Sequence, residues 1–408
     1  MTQPFRVHPV VWTALITPFG VVSGFVGVVL AFFATKRGLT VEEGASLIAI
    51  GMLPHTWKFL WAPVADMTLS RRGWYLLSVA LSIVGIVVMA AVPLGPTTLN
   101  LMRAVIFVTN LASTTLGMAV EGLMAHLTPP EERGRAGGWF QAGNLGGSGV
   151  GGGLGLWMAS NLPAQWMGGA VLGVGLAACA GALYVLPDVQ RESSEHGVGA
   201  AVKNVVVDLW NMVRSKDGFL AALICFLPIG TGAATGVLAQ AEIAAKWGAG
   251  EAEVGMVNGF ASGFIAAFGC LVGGELCRRF PSRMVYAGVG ALMAAVSIAM
   301  ALAPATPTTF VLGGLTYSLV TGFAYAAFTG LVLETIGLGA AATKYNIFAA
   351  LSNTPIAYMG IVLASAVTAW GPSGMLYTEA GAGIAGIILF FLVSGIVTMV
   401  AKRRAVAA

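Results

Sequence analysis

Apolar stretches of about 20 residues return roughly every 30 to 35 positions along this chain, and no other feature limits its fold so tightly. A helix of that length crosses roughly 30 Å of hydrocarbon. Lipid offers no hydrogen bonds, so each crossing segment must pair its own backbone groups. Twelve runs can be marked, at 10–35, 44–66, 74–93, 99–127, 137–160, 166–187, 219–245, 252–276, 284–303, 308–335, 345–370 and 379–401. Only 9% of the residues are charged and 57% are hydrophobic, whereas soluble domains carry about a quarter charged residues. The expected fold is therefore all-α, with twelve transmembrane helices and the lipid bilayer as solvent. The first run has one early Arg and no small-residue cleavage site after it, so it reads as a retained helix in a chain that starts at Met1.

Charge orients these runs. Sixteen of the 21 Lys and Arg fall on one side, and only Lys36, Arg37 and Lys246 face the other, which by the positive-inside rule puts both termini in the cytoplasm. Lys58 and Arg103 remain within the membrane. Residues 188–218 are the only extended polar stretch, and they divide six runs (1–187) from six (219–408). Val202, Val205, Val206, Leu209 and Val213 keep helical spacing there, so part of this linker can lie on the inner surface as an amphipathic helix.

The two halves repeat each other. KFLWAPVADMTLSRRGW at 58–74 returns loosely as GCLVGGELCRRFPSRMVY at 269–286. Each copy sets an acid (Asp66, Glu275) where a helix leaves the bilayer, then a basic cluster (Arg71 and Arg72; Arg278, Arg279 and Arg283) in a short loop. Such repeats imply two six-helix bundles about a pseudo-two-fold axis, with a solute site between them exposed to each side in turn. The acids and the basic loops, with Arg133 and Arg135 after the fourth run, are the candidate gates.

Polar residues inside the runs supply the candidate site. In the fourth run Arg103, Asn110, Thr114 and Glu121 follow three- and four-residue steps, a stripe that either lines a cavity or forms an interhelical seam. His55 and Lys58 lie three apart in the second run. A membrane Lys pairs with an acid, loses its proton, awaits an anionic ligand or snorkels to the headgroups. Glu121 and Glu334, each near the inner end of its run, are candidates for proton coupling, because a carboxyl withdrawn from water can carry a proton between two faces. The alternative is a structural latch, with Glu121 on Arg133 or Arg135. Glu242 is either an outer gate or a surface carboxylate beside Lys246. Gln141, Asn144, Asn258, Asn346 and Asn353 could bind neutral polar groups or bond helix to helix. Gly143, Gly147, Gly151 and Gly155 recur every four residues, which marks a close-packing seam. The four cysteines read as ordinary buried thiols, and no catalytic triad, paired-acid or metal pattern is present.

At KFLWAPVADMTLSRRGW, EGLMAHLTPPEERGRAGGWFQAGNLGG (121–147) and ATKYNIFAALSN (342–353) the chain resembles the major facilitator superfamily. Within it the resemblance is to the branch of AmpG-type muropeptide permeases and acetyl-coenzyme A transporters, with related siderophore importers. Lys58, Asp66, Arg71, Arg72, Glu131, Arg133, Gly134 and Ala136 sit on the matching motif positions. The resemblance implies proton-driven import of a bulky, often anionic solute such as a muropeptide across the inner membrane of a Gram-negative-type cell. It implies a monomer whose partners are that solute, protons and lipid, with no cofactor, no nucleic acid and no enzymatic activity. Siderophore import, drug or metabolite efflux, and a non-transporting assembly factor or sensor are the alternatives.

Overall fold

A computed structural model describes residues 7–37, 39, 41–187, 198–238, 240–337 and 340–407. The described residues form helices joined by short turns, and the ordinal numbers of the runs carry over to the segments they become. The third (Arg71–Ala91), fourth (Leu99–Leu127), ninth (Ser282–Leu302) and tenth (Pro307–Thr335) are unbroken helices. The eleventh and twelfth are continuous through Ala341–Ala407 except at Gly371, where a φ of 73° turns the chain. Among the described residues, eight helices are long and apolar enough by themselves to cross a membrane, that long pair counted as one. The second, fifth and seventh segments cross in pieces, which completes the twelve.

Each interruption has a local cause. The second segment changes from α-helix (Val41–Trp57) to a tighter 3₁₀ turn at Lys58–Leu60 before Ala62–Met67, just after Pro54 removes a backbone donor. The first and fifth each contain one π-helical stretch, Phe25–Leu30 and Val150–Leu154. The seventh runs as Lys216–Phe226, opens over residues 227–233, and resumes as Ala234–Leu238 and Ala241–Ala245. Pro228 lies in that opening, and Gly230 and Gly232 hold φ values of 61° and 63° that other residues rarely adopt. The helix Val198–Arg214 stands between the bundles in sequence, with Val206, Val207, Trp210 and Val213 exposed.

The glycine stripe of the fifth segment faces the first. A Cβ on Gly151 would lie 2.1 Å from the Val21 carbonyl oxygen, and one on Gly147 2.6 Å from that of Thr17. Tyr75 ties the third segment to the same place by donating to the Leu15 carbonyl, 3.0 Å. A second line of close approach joins the halves, where the fifth segment runs antiparallel to the eighth. Gly134 meets Cys277, Gly138 meets Cys270 and Gly274, and Gly149 meets Gly263. Gly151→Val is expected to remove most folded protein, because the Cβ alone already overlaps the Val21 backbone, which cannot move aside, and overpacking costs about 1–3 kcal/mol or more. Thermal unfolding in detergent checks it, with Gly175→Ala, whose Cβ would meet nothing within 4 Å, as the neutral control.

Candidate functional site

A cavity of about 320 Å³ lies between the bundles, at the small end of the roughly 300–1,000 Å³ usual for ligand sites. Its walls come from both halves and include His55, Lys58, Thr114, Glu121, Gln141, Asn144 and Asn353. The 3₁₀ turn is what aims Lys58 inward from the second segment. Its Nζ lies 3.7 Å from Glu121 Oε1 of the fourth segment and 6.0 Å from the centre of the Tyr345 ring. Glu121 is buried. Its other oxygen, Oε2, accepts from Asn346 Nδ2 at 2.8 Å, so a residue of the second bundle holds the acid of the first. The pairing of Glu121 with Arg133 or Arg135 that the sequence left open is not made, and Arg135 instead reaches Glu132 at 3.8 Å.

His55 is fixed one turn before Lys58. Asn110 donates its amide to the Ile106 carbonyl (2.9 Å), which turns Oδ1 toward His55 Nε2 at 3.0 Å. The histidine therefore carries its proton on Nε2. Phe19 meets the ring edge-on, with centroids 5.1 Å apart. On the opposite wall Asn144 donates to Gln141 (2.9 Å), Gln141 donates to Thr329 (2.8 Å), and Thr329 meets the Tyr345 hydroxyl (3.0 Å). This chain of side-chain bonds crosses from the fifth segment to the tenth and eleventh. Phe140, Phe328 and Tyr345 add aromatic surface to the cavity.

Other residues singled out in the sequence serve elsewhere. Arg103 binds Ser46 (3.2 and 2.8 Å) and Asn100 (3.1 Å), and joins the fourth segment to the second outside the cavity wall. Thr114 lines the cavity but donates within its own helix. Glu334 is exposed and accepts from Ser282 at 2.6 Å, and Glu242 is exposed on its short helix. The two acids expected to match each other thus differ: Glu121 is paired inside the cavity wall, Glu334 sits at the surface. The Asn258 side chain lies outside the described residues.

The acids that open the basic loops also diverge. Asp66 Oδ2 accepts from the Thr343 backbone N–H (2.9 Å) and hydroxyl (2.7 Å), at the start of the eleventh segment. A carboxylate there caps the positive end of a helix belonging to the other bundle. Ala62, Ala65 and Met118 bury against Ala342 beside it. Glu275 stays within its own segment, accepting from Arg278 (2.5 and 3.0 Å) and Arg279 (3.0 Å). Arg72 donates to the Leu186 carbonyl, while Arg71 lies 3.5 Å from His126 and covers Gly122. Arg133 is half-buried at the start of the fifth segment.

Sequence reasoning missed four residues around this site. Tyr345 and Thr329 were passed over as apolar-run residues, although a Tyr hydroxyl in lipid needs a partner and is itself a signal. Lys344, buried, donates to the Ile336 carbonyl (2.7 Å) and reaches Asp208 of the linker helix at 3.3 Å. Glu379 is buried in the twelfth segment. It is the first residue of the run 379–401 and was not singled out there.

Comparison with known proteins agrees with this architecture. The chain is 25% identical over 413 residues to the anhydromuropeptide permease of Escherichia coli K12, covering 96% of this chain and 81% of that one. Among solved structures it superposes on the human organic anion transporter MFSD10 with a TM-score of 0.69 at 18% identity, over 93% of this chain and 98% of the other. The Escherichia coli fucose:proton symporter FucP gives 0.67 at 15% identity, over 94% and 97%. At these identities the structures speak for the fold alone. The family model of the Major Facilitator Superfamily matches residues 13–357, and with twelve membrane helices in two bundles the chain belongs to that superfamily as a membrane transporter, not an enzyme.

Proposed function

We propose that this transporter imports a bulky polar or anionic solute of the muropeptide kind, driven by protons and by alternating access of the cavity between the bundles. The observation that carries the reading is the Lys58–Glu121 pair on the cavity wall, its cation half-buried and its carboxylate buried and held from the second bundle by Asn346. An anionic group entering the cavity competes for Lys58. Glu121, displaced from its cation in a low-dielectric site, then favours its protonated form. Solute binding and proton binding are coupled because one ammonium cannot satisfy two carboxylates. Asn346, whose amide holds Glu121 from the second bundle, carries the change across, because its bond to a neutral carboxyl is weaker than its bond to a carboxylate.

The remaining walls suit sugar and peptide groups. Phe19, Phe140, Phe328 and Tyr345 offer flat apolar faces, and Gln141, Asn144 and Asn353 offer amide donors and acceptors. An anhydromuropeptide, the substrate for which the Escherichia coli relative is named, fits that chemistry. The cavity as it stands is small for such a solute, so binding requires the bundles to part.

Asp66 on Thr343 and the apolar contacts around Ala342 close the end that carries the basic loops. With those loops cytoplasmic, the cavity is accessible from outside. In this reading the protein lies in the inner membrane as a monomer, with both termini in the cytoplasm. It divides into a first bundle (1–187), a linker (188–218) whose exposed Val206, Trp210 and Val213 rest on the inner leaflet, and a second bundle (219–408).

Uptake of a labelled anhydro-muropeptide by proteoliposomes tests the reading. Uptake above that of empty liposomes, stimulated by an inward proton gradient, is expected. Uptake of a ferric siderophore instead, in the same vesicles, would replace the solute and keep the site.

A further inference from the structure

Glu379 lies in the twelfth segment outside the cavity, buried, with no ion-pair partner among the described residues. An unpaired carboxylate inside a membrane bundle is costly, and ionisable residues there mark ion pathways by default. Its surroundings consist of donors. Oε1 accepts from the Thr231 hydroxyl and the Ala234 backbone N–H, both at 3.3 Å, and Oε2 accepts from the Tyr317 hydroxyl at 2.9 Å. Tyr317 in turn touches the Ser297 hydroxyl, and Ser297 donates to the Met293 carbonyl at 2.9 Å.

Three contacts, Glu379 to Tyr317, Tyr317 to Ser297 and Ser297 to Met293, share two hydroxyl hydrogens. All three become hydrogen bonds only if the carboxyl supplies a third hydrogen: Glu379 donates to Tyr317, Tyr317 to Ser297, and Ser297 to the Met293 carbonyl. If the carboxyl is ionised, the row reverses. Ser297 then donates to Tyr317 and Tyr317 to Glu379, while the Met293 carbonyl keeps its helix bond alone. Either charge state is accommodated by rotating two hydroxyls, with no movement of heavy atoms.

The same carboxyl touches the break in the seventh segment. Thr231 stands between Gly230 and Gly232, the two positive-φ residues of that break, and Ile229, Gly230 and Thr231 all line the central cavity. Charge on Glu379 strengthens the bonds from Thr231 and Ala234, and a proton weakens them. We propose that Glu379 is a proton-binding site of the second bundle, separate from the Lys58–Glu121 pair, and that Thr231 passes its protonation state to the cavity wall.

Among the described residues no Lys, Arg or His pairs with Glu379. The tenth segment presents Tyr317, the ninth presents Ser297 with its Arg283 and Tyr286 at the far end, and the seventh presents Thr231 and backbone. Tyr377 of the twelfth segment itself is exposed. Thr231, which lines the central cavity, is the contact by which this carboxyl reaches the cavity wall.

Infrared difference spectra of the whole protein in lipid, taken across a pH series without solute, test this independently of which solute is carried. A protonated-carboxyl C=O band that appears with falling pH is expected in the wild type and in Glu121→Gln, and lost in Glu379→Gln. Thr231→Val is expected to move the surviving band to higher frequency, because a hydrogen bond to the carbonyl oxygen softens its stretch. A band unchanged in Glu379→Gln would overturn the site. A band lost there but unmoved in Thr231→Val would overturn the link to the cavity. Should Glu379→Gln fail to fold, the Thr231→Val spectrum alone decides, since the band either moves or does not.

Discussion

Lys58→Ala is expected to abolish solute uptake, lowering it at least about 100-fold, while Lys58→Arg keeps a measurable fraction. Two effects add. The cation that attracts an anionic solute is gone, and Glu121 is left in the wall without its partner. Breaking one side of a buried ion pair costs about 3–5 kcal/mol, and each 1.4 kcal/mol is about tenfold in an equilibrium. Part of that cost falls on stability, so the variant should also melt earlier in detergent. The double variant Lys58→Ala/Glu121→Gln separates the effects, because it removes both charges and recovers the melting temperature but not transport. Uptake by Lys58→Ala at wild-type rate, in vesicles with equal protein, would take Lys58 out of the site.

Glu121→Gln is expected to stop gradient-driven accumulation by at least about tenfold while leaving counterflow exchange of solute largely intact. Glutamine keeps the shape and the bond to Asn346 but cannot release a proton, so the cavity can still turn over between identical solute-bound states. Net movement on a proton gradient requires the carboxyl to change charge at each face. Moving one charge through about 100 mV yields about 2.3 kcal/mol, close to fifty-fold accumulation, and this is the quantity the variant forfeits. Equal loss of exchange and accumulation would show that Glu121 acts as a strut between Lys58 and Asn346.

Much of the fold was readable from the apolar runs, because hydrophobic length is a local property and the bilayer fixes its scale. Side-chain partners were less so. Lys58 and Glu121 were each marked as candidates, yet nothing in spacing along one helix says that the second and fourth segments bring them to 3.7 Å. The sequence instead suggested loop arginines for Glu121. Repeat symmetry misled at Glu334, which shares the offset of Glu121 but comes to rest beside Ser282 at the surface. Asp66 and Glu275 occupy matching positions, and only the first caps a helix of the opposite bundle. Glu379 was hidden by a boundary. A single carboxyl at the edge of an apolar run looks like a helix end until the break in the seventh segment is seen folding back over it.

The line where Gly138 meets Gly274 and Gly149 meets Gly263 has a mechanical meaning. Interdigitated side chains behave like meshed gear teeth, and parts so joined can shift only by whole steps, unseating each tooth as they go. Smooth backbone against smooth backbone is closer to a bearing. The fifth and eighth segments offer little side-chain interlock to resist rolling through small angles, so the halves are tied chiefly by polar clasps, Asp66 on Thr343, Glu121 on Asn346 and Gln141 on Thr329 among them. A residue as small as alanine on that track would act as a brake, slowing every cycle without touching the solute.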